Sequence, residues 1–454
     1  MPKAIAIERD QQHKDGKTLG ALHSIPLLAK DIFVTMDKME TTGGSSVLIG
    51  AKYDKEAFII SRLRQAGAII LGKTNLSQWG MARSPKCPSG WTALFGQAVG
   101  GFQESQDPQG SSSGSAIAAS LNLASGTIGG ETCGSILYPA QRNGVVGLKP
   151  TVGLTSRSGA IPLNPEQDSV GTLTRWVKDS ALILQVIAGK DEDDSASADV
   201  PFEDVPDYVV SCTTSGLEGL QIVVPKSAYA VADSDPEVGV AFRDAIETIR
   251  GLGATIIDGM DFEHWRPSLG LREDLFGDVL LREAYDKFFG GLVENPKGVK
   301  NISDLIEYIK REPDELYEKF GAGWFESARD APGNSLSKQV LDVKARIEHL
   351  GADMARLLDS QNRDLLLATS STDLPLDLGR LPGISVVHNS QVTKGPNIPF
   401  TITFAGKRFS EEKLITAVYS FEQATKVVSQ NKEKLIVQPD PSLLDFTEQS
   451  ENKL

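Results

Sequence analysis

The sequence is poor in cysteine, in histidine and in positive charge, and it has no long apolar run. Its 454 residues include three cysteines, Cys87, Cys133 and Cys212, and five histidines. Three scattered cysteines cannot frame a disulfide scaffold or a zinc site, and Cys87 and Cys212 read as small buried hydrophobes. His13, His23, His264, His349 and His388 show no metal-type spacing, so no metal and no cofactor is expected. Lysine and arginine number 46 against 60 acidic residues, a net charge of −14. That balance disfavours a nucleic-acid or anionic-membrane partner, because no broad basic surface is available to release phosphate counterions. No segment approaches the ~20 consecutive apolar residues of a membrane span. The opening MPKAIAIERDQQHKDGK is charged from the start and lacks an apolar core, so no secretory signal is read and a reducing, cytoplasmic location is expected.

What is abundant is glycine. The chain has 43 glycines and 23 prolines beside a hydrophobic content of 40%, enough for a real core with many turns and close backbone approaches. Short apolar runs alternate with helical patterns throughout, which reads as α/β. Strands are predicted at 25–29, 68–71, 145–148, 221–224, 254–257, 365–367, 384–387 and 400–404. Helices are predicted over 55–65, from 116 to 121, over 237–250 and from Ser410 to about Val428, with a charged, mostly helical stretch over 262–360 broken at Ala331-Pro332-Gly333. The expected architecture is one large α/β/α domain over residues 1–434, its mixed, mostly parallel twisted sheet covered by helices on both faces. A polar tail over 435–454 follows.

The densest unusual stretch is Gln109-Gly110-Ser111-Ser112-Ser113-Gly114-Ser115, followed by Gly129-Gly130-Glu131-Thr132-Cys133-Gly134-Ser135-Ile136. Small residues on two Ser/Gly loops let backbone N–H groups approach a ligand, and such a nest of donors suits an oxyanion. A flexible linker is the plain alternative, but both loops abut apolar segments. Gly110-Ser111-Ser112-Ser113-Gly114 also matches the G-x-S-x-G nucleophile elbow with Ser112 as nucleophile. That motif needs a strand directly before it, and Gly100 to Pro108 does not read as one.

Ile25-Pro26-Leu27-Leu28-Ala29-Lys30-Asp31, the serine loop, and Gly134-Ser135-Ile136 with Pro139-Ala140 resemble the amidase signature family. Gly72-Lys73-Thr74-Asn75-Leu76-Ser77-Gln78-Trp79 and Arg142-Asn143-Gly144-Val145-Val146-Gly147-Leu148-Lys149-Pro150-Thr151-Val152-Gly153-Leu154 extend the match. It covers residues 17–190 most strongly and leans toward the peptide amidase branch. The resemblance implies a Ser–cisSer–Lys triad: Ser135 as nucleophile, Ser111 as bridging serine after a cis peptide bond, and Lys30 as base. It places the oxyanion hole on the backbone amides of Thr132, Cys133, Gly134 and Ser135, with Ser112 and Glu131 as supporting groups. Residues 200–365 would shape the substrate pocket.

Four features depart from the family's pattern. Cys133 stands where Gly or Asp is usual, Leu137 where many members have Arg, Gly130 where Thr is common, and Leu381-Pro382-Gly383 in place of Gly-Tyr-Pro. Members also carry several dozen more residues before the Lys30 strand, so the chain reads as naturally short or incomplete at its N-terminus. The implied activity is hydrolysis of a carboxylic amide through an acyl-serine intermediate, on a small-molecule or peptide amide, with a homodimer left open. The alternatives are an esterase or acyl transferase using the same triad, a catalytically impaired scaffold, and a glutamine-amidotransferase component that would need a partner for tRNA.

Overall fold

The computed structural model describes residues 2–264, 274–360, 363–369, 374–389 and 399–427. Ten strands form one sheet: β1 Pro26–Lys30, β2 Ile69–Thr74, β3 Gly126–Glu131, β4 Val146–Lys149, β5 Ser169–Thr174, β6 Gln221–Val223, β7 Thr255–Ile257, β8 Leu365–Ala368, β9 Gly383–Asn389 and β10 Phe400–Ala405. Their order across the sheet is β2-β1-β3-β5-β4-β9-β10-β8-β6-β7. Pairing is parallel among β2, β1 and β3 and among β8, β6 and β7, and antiparallel through the middle. The expected mixed α/β sheet is present, flanked by helices, as a single domain.

Local chemistry sets the element ends. Asp235 accepts a hydrogen bond from the Glu237 amide and Pro236 fills the first helical position, so the helix is Pro236–Gly251, one residue beyond each predicted end. The predicted start at Lys55 is three residues early. Ala57 is not helical, and its neighbour's first orphan amide, that of Phe58, donates to the Ser158 carbonyl at 3.2 Å. Helices Asp274–Gly290, Ile302–Arg311, Gly323–Asp330 and Lys338–Asp359 realise the charged helical stretch. The final described helix is Glu411–Thr425, and the predicted end at Val428 and the tail over 435–454 lie outside the described residues.

Elements that escaped the sequence reading include β3, β5 and the helices Pro2–Lys14, Leu137–Arg142 and Val177–Ile187. Strand β3 matters most, because the second Ser/Gly stretch is half strand rather than all loop. Its glycines are steric requirements. A Cβ on Gly126 would lie 2.7 Å from Ile183 Cδ1, on Gly129 2.6 Å from Leu173 Cδ1, and on Gly130 2.7 Å from Ile32 Cδ1. The packing that demands glycine also removes the β-branched signal by which strands are recognised.

The apolar core falls into two main clusters. One gathers β4, β6 and β8–β10 with the helices Pro236–Gly251, Lys338–Asp359 and Glu411–Thr425; the other gathers β1 and β2 with Phe58–Gln65, Asp274–Gly290 and Ile302–Arg311. Strand β3 leaves its last residue, Glu131, beside the end of β1, where Lys30 sits. Parallel strands deliver their C-terminal residues to one rim of a sheet, a common place for a site.

Candidate active site

Lys30 ends β1 and is buried, with 1% of its surface exposed. Its Nζ lies 2.7 Å from Ser111 Oγ, 3.0 Å from Ser112 Oγ and 2.9 Å from the Gly130 carbonyl oxygen. Burial pushes the amine down from its ordinary value to about 7, against the opposing fields of Glu131 and Asp168. The hydrogen-bond inventory then assigns the protons. The Gly130 carbonyl can only accept. The Ser112 hydroxyl gives its own proton to that carbonyl at 3.1 Å and accepts from the Gly130 amide at 3.3 Å, so it too takes an N–H from the lysine. As an ammonium Lys30 donates one N–H to each of Ser111, Ser112 and the Gly130 carbonyl; in its neutral form two N–H bonds suffice for the last two and the lone pair is available to Ser111.

Ser111 follows a cis Gly110–Ser111 peptide bond, as the resemblance implies. Gly110 is enforced here, since a Cβ would lie 2.1 Å from Ser77 Oγ. Ser112 precedes the Ser113–Ser120 helix without capping it through its side chain, which contacts the lysine instead. It is wholly buried, which leaves the elbow reading without an accessible nucleophile. Ser135 is joined to this group through the main chain, the Ser112 amide donating to the Ser135 carbonyl at 3.1 Å. Among the described residues its hydroxyl makes no hydrogen bond.

The loop from Thr132 to Ile136 is held by side chains. Glu131 Oε2 accepts from the amides of Ile136 at 2.6 Å and Leu137 at 2.9 Å, and this orients the loop. Thr132 Oγ1 donates to Asp168 at 2.6 Å, and Asp168 also receives the amides of Leu163 and Asn164. Burial raises the carboxyls of both Glu131 and Asp168. Gly134 has φ +73°, and the amides of Gly134 and Ser135 donate to no acceptor among the described residues. Leu137, in the position where many family members carry Arg, is fully buried in the larger apolar cluster.

A cavity of about 240 Å³ opens beside this cluster. Lys30, Ser111, Gly130 and Thr132 border it, Ile32, Phe33, Ile161 and Leu163 make apolar walls, and Arg157, Asp194 and Lys287 border it further along. Arg157 is committed to Asp194 through two bonds of 2.6 Å. Lys73 is held in structural contacts: its Nζ reaches the Phe33 carbonyl and Thr41 Oγ1, both at 2.7 Å. Trp79 and Trp91 pack in the interior, the first among Tyr285, Phe289 and Phe325 and the second on Phe320, while Phe95 is exposed. Cys87 is buried, Cys212 half-buried and Cys133 exposed.

Among the described residues one group of metal-type donors converges, Glu263, His264 and Asp353. Arg356 already supplies its positive charge, at 2.5 Å from Asp353 Oδ1, and none of the three borders the cavity.

Asp168 is the contributor to this loop to which the sequence reading gave no role. Asp168 precedes β5, and only the pairing of Glu131 with Ser169 across β3 and β5 brings it to Thr132.

Fold and site together define a class: an α/β protein with a buried serine–lysine cluster at the carboxyl ends of adjacent parallel strands. The family model described as Amidase matches residues 2–380, and the chain belongs to that family. A protein named as an amidase in Arthroderma benhamiae is 35% identical over 453 residues, covering 96% of this chain and 76% of the relative. A glutamyl-tRNA(Gln) amidotransferase chain of Geobacter metallireducens is 32% identical over 429 residues, covering 90% and 84%. Among solved structures, the native peptide amidase of Stenotrophomonas maltophilia superposes with a TM-score of 0.86 at 32% identity, covering 94% of this chain and 87% of that one. The protein is an amide hydrolase of this family. No helix among the described residues is long and apolar enough to cross a membrane.

Proposed function

We propose that the protein cleaves a carboxylic amide through an acyl-serine intermediate, with Ser135 as nucleophile, Ser111 as proton bridge and Lys30 as base, within one domain over residues 1–434. The observation that carries this reading is the buried Lys30 Nζ lying 2.7 Å from Ser111 Oγ, with Ser112 Oγ and the Gly130 carbonyl as its other two polar neighbours. A serine hydroxyl attacks only when its proton has somewhere to go. As Ser135 Oγ bonds to the carbonyl carbon, its proton passes to Ser111 Oγ, and the Ser111 proton passes to Lys30 Nζ. The carbonyl oxygen becomes an oxyanion before the amides of Thr132, Cys133, Gly134 and Ser135, where losing one donor typically costs ~10²–10³ in kcat. The C–N bond then breaks, and the proton returns through Ser111 to the leaving nitrogen. Water attacks the acyl-serine by the same relay and releases the acid.

The test uses a fluorophosphonate probe and a panel of primary amides and peptide amides. Labelling at Ser135 and ammonia release, both lost in Ser135→Ala, are the expected outcome. Neither labelling nor turnover in folded protein would establish the impaired scaffold. Loss in Ser112→Ala but not in Ser135→Ala would restore the elbow. Added hydroxylamine separates hydrolase from acyl transferase, since a transferase diverts the acyl group to hydroxamate. The likeness to an amidotransferase chain favours a second reading, the amidase component of a larger assembly; glutamine as the best ammonia source in the panel, with slow turnover of peptide amides, would support it.

A further inference from the structure

A second cavity, of about 510 Å³, lies between the helices Phe58–Gln65 and Val177–Ile187. It is larger than the one beside Lys30 and shares no lining residue with it. Its volume falls within the range of about 300–1,000 Å³ typical of small-molecule sites. Phe58, Leu182 and Val186 give it apolar walls, and Arg62 supplies a charge. Among the described residues that line it none is acidic.

The Arg62 guanidinium lies over the Phe58 ring, 5.7 Å from its centroid. A Cβ on Gly189 would sit 3.4 Å from Arg62 Nη1. The charged head therefore reaches from the first helix to the chain that leaves the second. Among the described residues it has neither a carboxylate nor a hydrogen-bond acceptor as partner. Beside it Gln65 Nε2 and Ser61 Oγ are bonded to each other at 3.3 Å rather than to Arg62. Burial pushes the guanidinium down from its ordinary value, and no carboxylate field opposes that shift. Arginine nevertheless keeps its charge in proteins. In a chain of net charge −14, Arg62 is thus a half-buried cation whose counter-charge the described residues do not supply.

We propose that this cavity binds a small carboxylate with an apolar body, the Arg62 fork taking the two carboxylate oxygens and Phe58, Leu182 and Val186 taking the body. The guanidinium presents its donors in one plane, a geometry that matches a carboxylate, and apolar walls strengthen such a contact by keeping water from it. Neutral and cationic amphiphiles of the same length lack the charge that Arg62 calls for. Two sources share this chemistry: a free fatty acid, and the acid that amide hydrolysis itself releases. Neither is held through the serine–lysine cluster, so the inference stands whether or not Ser135 is the nucleophile.

The test is calorimetric titration of the full chain, with no amide present, using octanoate, octanol and octylamine. Octanoate is expected to bind at one site per chain. Octanol and octylamine should bind at least about tenfold more weakly, and octanoate should weaken by the same factor in Arg62→Met, as loss of a hydrogen bond to a charged group implies. Val186→Trp, which fills the cavity and leaves Arg62 in place, should abolish octanoate binding, and it replaces Arg62→Met if that variant does not fold. The acid released from the best amide of the panel is titrated alongside. Tighter Arg62-dependent binding of that acid than of octanoate assigns the site to product, and the reverse order assigns it to fatty acid. Absence of saturable octanoate binding, octanol binding as tightly as octanoate, or wild-type octanoate affinity in either variant overturns the inference.

Discussion

A lysine cut off from water must find acceptors for three N–H bonds or give up a proton. Lys30 has two acceptors, the Gly130 carbonyl and Ser112, and one serine that can supply a proton instead of taking one. With its amine at about 7, the base form predominates only above that pH. The sign is therefore fixed: kcat/KM for a neutral amide should rise as pH passes up through about 7 and then level off. A rate that falls through this range would rule Lys30 out as the base. Folding responds to the same group through the unfolded chain. There the amine stays protonated up to about 10.5, so unfolding between the two values takes up a proton and stability grows as pH rises through that window. Lys30→Met should thus abolish turnover yet raise the urea midpoint at pH 7, a cost of function in stability that Lys30→Arg, always charged, should not relieve. The lysine and the serines were legible in sequence because each sits in a short contiguous pattern. Asp168 lies in a separate segment and meets Thr132 only through the pairing of β3 with β5, so its spacing from the serine loops does not reveal its role.

At the scale of elements the site depends on a turn that side chains cannot enter. Between β3 and the Leu137–Arg142 helix the chain reverses at Gly134, where φ is +73° and a Cβ would lie 2.1 Å from the Tyr138 ring. Strain and collision act together there, so neither a rotamer change nor a small backbone shift suffices. Gly134→Ala is expected to move the Cys133–Ser135 amides and lower kcat by roughly 10²-fold, as loss of an oxyanion donor does, with far-UV circular dichroism unchanged. Near-wild-type kcat would mean that these amides are not aimed at the reacting carbonyl. The same reasoning explains what the sequence concealed. Apolar runs such as Ala68-Ile69-Ile70-Leu71 announced β2, whereas Gly126-Thr127-Ile128-Gly129-Gly130 has no alternation and few β-branched residues, although it lies between β1 and β5. Where packing is tightest, glycine replaces the residues that signal a strand.

At the scale of the whole molecule, the region after residue 300 is tied to the site half by a buried ion pair. Glu315 ends the short turn Pro313–Glu315 and is wholly buried. Its Oε1 accepts from Ser45 Oγ at 2.5 Å and the Ser46 amide at 3.2 Å, and its Oε2 accepts from Gln78 Nε2 at 2.9 Å and Arg83 Nη1 at 3.1 Å. Arg83 is likewise buried and makes three further bonds, to Gln78 Oε1 at 2.6 Å, the Glu315 carbonyl at 2.6 Å and the Gly321 carbonyl at 2.8 Å. Three segments far apart in sequence thereby share one network, and Gln78 extends it to the Gly44 carbonyl beside the loop that follows Lys30. Breaking such a pair from one side strands a charge, which typically costs ~3–5 kcal/mol, whereas replacing both partners with apolar groups can be close to neutral. Glu315→Ala and Arg83→Met should each lower the unfolding free energy measured in urea by about 3–5 kcal/mol. The double variant Arg83→Met with Glu315→Leu should lose less than the sum of the two, because no unpaired ion remains. Strict additivity would show that the two side chains stabilise the fold independently and that the network does not join the halves.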